Sequence, residues 1–175
     1  MSEIRGIVAD TPDKIRGDRA DMLIFEEAGS WPKLKTAVIQ GQALVGILGS
    51  QFGIEIMGGT GGDSGAALEG LHDIYYNPRG FNVLPLKHNF TSDGQTAYTG
   101  YFLPTYSILL GSEFTDKRGW TDPEKAKAHY QKERDIKAVE DPKGFPIYCA
   151  EYCFTAEEAF ALEGENKFNK VYLVN

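Results

Sequence analysis

Residues 21–29 read Asp-Met-Leu-Ile-Phe-Glu-Glu-Ala-Gly, and their chemistry lies in the adjacent carboxylates Glu26 and Glu27. Two acids at the end of an apolar strand can hold a hydrated metal ion and polarise a water, as nucleotide hydrolases do. The same pair also suits the opening of a helix, whose dipole favours anions in its first turn. The residues alone leave both readings open. A second group is Gly58-Gly59-Thr60-Gly61-Gly62-Asp63, which follows the apolar stretch Ile54-Glu55-Ile56-Met57. Glycines there let backbone amides approach an anion, and the Thr60 hydroxyl can reach a phosphate. The group lacks the lysine of Gly-x-x-x-x-Gly-Lys-[Ser/Thr], and residue 64 is serine where Gly-x-Gly-x-x-Gly needs glycine. A tight turn with Asp63 capping the next helix is the competing reading.

Other reactive residues say less. Arg16 and Arg19 precede the acidic strand and suit a phosphate or trans-acting contact, against the commoner solvated loop arginine. Gly62-Asp63-Ser64-Gly65 matches a tetrapeptide around the nucleophile of serine proteases. That site needs a histidine base placed earlier in the chain, and the first histidine is His72. Cys149 and Cys153 would stack on one helix face. With His72, His88 and His129 scattered, too few ligands accompany them for a metal site, so they read as inert buried thiols in a reducing compartment.

The elements that must position these residues follow from pattern. Met22-Leu23-Ile24-Phe25 is a continuous apolar run, which predicts a strand over 22–26 buried on both faces of a parallel sheet. Open α/β sheets bind ligands at the carboxyl ends of their strands, where Glu26 and Glu27 would stand. A weak strand is expected over 3–9. Ser30 and Pro32 suggest a helix start before the stripe Leu34, Ala37, Val38, Leu44, Val45 and Leu48. A strand over 52–57, a helix to about Tyr76, a turn at Asn77-Pro78-Arg79-Gly80 and a strand over 81–86 complete an alternating α/β order. Beyond residue 87 the character changes. Residues 98–103 suggest a strand, Thr121-Asp122-Pro123-Glu124 a capping box, Asp141-Pro142 a second helix start, and Thr155-Ala156-Glu157-Glu158 a third. The expected division is an α/β part over 1–87, a loop-rich connector over 88–119 and a helical part over 120–175.

The chain has 175 residues, 42% hydrophobic and 12% aromatic, enough for a core. A net charge of −7 and a pI near 5.0 exclude a generally basic nucleic-acid surface. Lys and Arg between 117 and 143 alternate with Asp and Glu, as on a solvated helix face. No apolar run has membrane-spanning length, so no membrane partner is expected.

Taken together, Arg16-Gly17-x-Arg19-Ala20-Asp21-Met22-Leu23-Ile24-Phe25-Glu26-Glu27-Ala28-Gly29 resembles the Walker B region of tailed-phage terminase large subunits, the ATPases that pump DNA into capsids. Gly58 to Asp63 resembles their coupling motif, and Phe154-Thr155-x-Glu157-Glu158-Ala159-Phe160 the segment that closes their ATPase part. Trp120, the helix around Glu133-Arg134 and Tyr148 to Phe154 sit as in that family. The resemblance implies a parallel sheet of P-loop NTPase type with a mostly helical C-terminal tail. It implies ATP and Mg2+ as cofactors of the complete protein. Glu27 would then activate the attacking water, and Glu26 would hold the magnesium shell in a position where the family more often has Asp. Thr60 with Gly59, Gly61 and Gly62 would sense the γ-phosphate, and Arg16 would make a phosphate or subunit contact. The implied partners are the portal, the small terminase subunit and double-stranded DNA, in the cytoplasm of an infected bacterial host. The phosphate-binding loop and the nuclease half are absent from the sequence, so it is expected to be an internal piece of the large subunit. That piece would not hydrolyse ATP alone, and it would self-associate or depend on the missing segments. A non-hydrolysing nucleotide-binding or assembly module is the alternative.

Overall fold

The computed structural model describes residues 3–8, 14, 19–47, 50–60, 66–88 and 97–161. The chain divides into two compact units, Met1–Leu84 and Pro85–Asn175.

The first unit is built on two parallel strands, β1 (Met22–Phe25) and β4 (Ile54–Met57), with Met22 beside Ile54 and Phe25 beside Met57. Between them run α1 (Leu34–Leu44) and a small antiparallel pair, β2 (Gly46–Ile47) and β3 (Ser50–Gln51). A parallel pair needs such a crossover, because a short turn only reverses the chain. The second helix, α2, spans Ala66–Tyr76. Phe25, Ala28, Leu34, Ala37, Val38 and Ile74 form the core, with Leu23, Trp31, Met57 and Leu71 packed against it. Phe25 meets Trp31 edge-on, ring centres 5.1 Å apart. Lys35 of α1 donates to Asp73 of α2 at 2.6 Å.

Four sequence expectations differ here. The apolar run of β1 is buried on one face only: Phe25 is 1% exposed, but Met22 and Ile24 are 52% and 57%. Both helices contribute to a single core cluster, which lies on the Phe25 side. Ser30 does not start α1. It ends a 3-10 turn, Ala28–Ser30, and Lys33 turns left-handed at φ 56° before Leu34. The early turn brings Trp31 back, so that its indole N–H reaches the Glu26 carbonyl at 2.9 Å. The strand expected over 81–86 does not form over 81–85, and only Leu86 begins a strand. Pro78–Phe81 is a 3-10 turn, closed by left-handed Asn82 and by the Val83 amide donating to the Pro78 carbonyl at 2.8 Å. Residues 3–8, where a weak strand is expected, form no strand. This unit is thus mixed α/β with a small parallel sheet.

The second unit opens with the antiparallel pair β5 (Leu86–His88) and β6 (Ala97–Thr99). Three helices follow: α3 (Pro123–Glu140), α4 (Phe145–Glu151) and α5 (Ala156–Ala159). The cap of α3 is Asp122, whose carboxylate accepts from the Lys125 amide. Thr121, the expected cap, instead donates its hydroxyl to the Leu109 carbonyl at 3.0 Å. Pro123 at the first helical position suits its missing N–H. Asp141 accepts from the Gly144 amide and turns the chain into α4. Thr155 caps α5 by accepting from the Glu158 amide at 3.3 Å, as its Thr-x-x-Glu pattern predicts.

Candidate functional site at the carboxyl ends of the parallel strands

Because β1 and β4 run parallel and in register, their carboxyl ends lie side by side. The ladder continues past both strands: the Gly58 amide donates to the Phe25 carbonyl, and the Ala28 amide to the Gly58 carbonyl, each at 3.0 Å. Glu26 and Glu27 are thereby brought beside Gly58, Gly59 and Thr60. All five are exposed. The approach is closest at Gly59, where a Cβ would stand 2.7 Å from the Ala28 nitrogen and 3.1 Å from the Glu27 Cα. Only glycine fits there without displacing the acidic segment. Glu27 adopts the left-handed conformation, φ 49° and ψ 43°. Non-glycine residues hold it at a cost, and such residues cluster at functional sites.

The local geometry bears on the two readings of the acids. Glu27 precedes the 3-10 turn without a side-chain cap bond, and α1 begins only at Leu34. The pair therefore caps no helix through its side chains, and both carboxylates face solvent. Among the described residues no three His, Cys, Asp or Glu side chains group to hold a metal. A magnesium ion needs no such protein cage. It keeps several waters and takes one or two carboxylates together with substrate phosphates. Glu26 and Glu27 are two exposed carboxylates of that kind, and Gly59 brings the turn against their backbone. Thr60 lies beyond Gly59 with an exposed side chain. Arg16, Gly61 and Gly62, and the cap candidates Asp63 and Ser64, lie outside the described residues. Arg19 is exposed, ahead of β1.

One acid escaped the sequence reading. Glu55 sits mid-strand in β4, paired with Leu23, and points under α1. Its Oε1 is buried without a hydrogen-bond partner. A Cβ at Gly41 would collide with that oxygen and would also meet Leu23 at 2.8 Å. Burial raises the Glu55 carboxyl from its ordinary 4.5 to about 7. The available signal was Gly41, a helix-interior glycine with no turn to make.

In the second unit the Phe154 to Phe160 segment is a structural clasp. The Arg134 guanidinium donates to both Glu158 oxygens, at 2.9 and 2.7 Å, and to the Tyr152 carbonyl at 2.6 Å. The Phe154 amide donates to Glu158 as well, and the guanidinium lies 3.5 Å from the Phe154 ring centre. Burial alone would lower the Arg134 pKa, but the Glu158 carboxylate raises it on balance. Cys149 is buried and Cys153 partly so, both as free thiols. Burial pushes the Cys153 thiol up to about 11, which removes the thiolate that reactivity requires.

Among the described residues no helix is long and apolar enough to cross a membrane. The chain matches no family model, no curated protein and no solved structure.

Proposed function

We propose that this chain supplies the acidic strand end and the phosphate-facing turn of a nucleotide hydrolase, in the manner of the terminase large subunit that its motifs resemble. One observation carries the reading. Two sequence segments with nucleotide-site chemistry, Glu26-Glu27 and Gly58-Gly59-Thr60, meet at the carboxyl ends of one parallel strand pair, with Gly59 against Glu27. That is the end where α/β sheets hold ligands.

In this reading Glu27 orients and polarises the attacking water, and Glu26 holds the magnesium shell through its waters. Magnesium, when bound, offsets the charge of the transferring phosphate. Gly59 keeps the turn close to the acids and Thr60 faces the γ-phosphate, with Gly61 and Gly62 completing the glycine-rich motif in sequence. Arg16 makes a phosphate or neighbouring-subunit contact. The 175 residues contain no Gly-x-x-x-x-Gly-Lys-[Ser/Thr], so the amide cradle and lysine for the β- and γ-phosphates come from another polypeptide segment. The proposed partners are that segment, a nuclease part, the portal, the small terminase subunit and DNA.

Manganese tests the reading, because it replaces magnesium and broadens nearby NMR signals. With Mn2+ and ATP, amide signals of residues 26, 27 and 58–60 broaden selectively, and Glu26→Gln/Glu27→Gln abolishes the effect. Broadening elsewhere, or none, defeats the assignment. The chain by itself gives no ATP turnover. Turnover that Glu27→Gln removes would show that the phosphate cradle lies within these residues after all.

A further inference from the structure

Strand β4 is inverted relative to its own amphipathicity. Ile54 and Ile56 stand 56% and 46% exposed, while Glu55 between them faces inward beneath α1. An alternating strand ordinarily turns its apolar side to the core. On β1, Met22 and Ile24 are 52% and 57% exposed, and the register sets Met22 beside Ile54 and Ile24 beside Ile56. The four side chains form a two-by-two apolar square on the face opposite Phe25. A parallel sheet is stable with both faces covered, and here α1 and α2 both build the core on the Phe25 side.

The size and rim of the square define its occupant. Four half-exposed side chains offer roughly 400 Å2, about half of the ~800 Å2 per partner in a stable interface, so two copies face to face would be undersized. A helix about 10 Å across matches two strands about 4.8 Å apart, and its i, i+3, i+4, i+7 stripe supplies apolar side chains over both. Strand alternation carries the same face to Glu26, and Glu27 follows, so one end of the square is rimmed by two exposed carboxylates. An acidic helix is repelled there, and a basic one attracted.

We propose that the open face of the β1–β4 sheet docks one basic amphipathic helix from a partner polypeptide. Its apolar stripe covers Met22, Ile24, Ile54 and Ile56, and Lys or Arg residues flank the stripe near Glu26 and Glu27. The inference does not rest on the metal reading, and the variants that test it leave both carboxylates in place.

The probe is a labelled 18-residue Leu/Lys peptide with a helical apolar stripe, titrated by fluorescence anisotropy into the full chain at 0.15 M salt. A Leu/Glu peptide of the same pattern and a Leu/Lys peptide with the stripe scrambled are the controls. Ile24→Thr/Ile56→Thr keeps β-branched side chains at exposed positions, and circular dichroism verifies its fold. The striped basic peptide should bind at least tenfold more tightly than either control, and the double variant should weaken it at least tenfold. Equal binding by the variant, or by the scrambled peptide, overturns the proposal. Sedimentation of the chain alone gives a second check: a dimer that the double variant dissociates would assign the face to a second copy and overturn it too.

Discussion

Gly59 lies against the backbone of Glu27: a Cβ on Gly59 would stand 3.1 Å from both the Cα and the carbonyl carbon of Glu27, and nearer still to the Ala28 nitrogen. The acidic segment and the glycine turn are therefore one mechanical unit. Gly59→Ala should displace that segment and lower stability by about 1–3 kcal/mol, the usual cost of overpacking. Gly58→Ala is the control, since its Cβ would meet nothing within 4 Å. Urea unfolding of the two variants measures the difference, and equal midpoints would contradict the close approach.

Glu27 provides a test that separates fold from chemistry. Its φ of 49° is strained for a residue with a Cβ. Glu27→Gly should raise stability by about 0.5 kcal/mol, relief of the left-handed strain exceeding glycine's added chain entropy. Glu27→Val should lower it by more than 1 kcal/mol, because a β-branched residue tolerates this region worst. The reverse order in thermal melts would contradict the backbone assignment. Both variants should lose the manganese effect.

Glu55 makes stability depend on pH. Its folded pKa of about 7 lies above the ordinary 4.5, so the folded state holds the proton more tightly than the unfolded chain. Its stabilising contribution is thus fully present below pH 4.5 and is lost as pH rises through about 7. Discounted for the half-buried position of the group, the loss is about 2 kcal/mol. Glu55→Gln should flatten that part of the profile. An unchanged slope between pH 5 and 8 in denaturant titrations would refute the burial of the carboxyl.

Arg134 and Glu158 tie α3 to α5 across 24 positions of sequence. Arg134→Ala should destabilise the second unit by about 3–5 kcal/mol, because it strands a half-buried carboxylate. Arg134→Met/Glu158→Leu should recover most of the loss, since an apolar pair of similar volume replaces the ion pair. If the double variant is no more stable than Arg134→Ala, the clasp is not an isolated pair. Calorimetry of the three proteins decides.

Local chemistry was legible where its partners are near in sequence. The Thr155 to Glu158 box appears as a helix cap, because a cap joins residues three apart, and the α3 start at Pro123 was legible too, although its cap is Asp122 and not Thr121. The boundary of α2 near Tyr76 followed from Asn77-Pro78. The α1 start did not, because the Ala28–Ser30 turn and left-handed Lys33 intervene and Trp31 folds back onto Phe25 and Glu26, a contact that no capping pattern encodes. The strand expected over 81–86 failed for a similar reason: β-rich composition there yields to a turn closed by Pro78 and Asn82. The candidate site was visible as two separate motifs, with neither their distance nor the strain at Glu27 in view.

The sequence by itself determined which segments carry chemistry and which residues punctuate them, since acids, glycines, prolines and caps act over a few bonds. Only the tertiary structure decided which face of each strand is covered. Alternation in Ile54-Glu55-Ile56 states that two faces differ, not which one meets α1, and Gly41 settles that by making room for the Glu55 carboxylate. The same long-range choice leaves Met22, Ile24, Ile54 and Ile56 in the open and sets Gly59 against Glu27. Burial is a property of what packs across the chain, and no local pattern contains it.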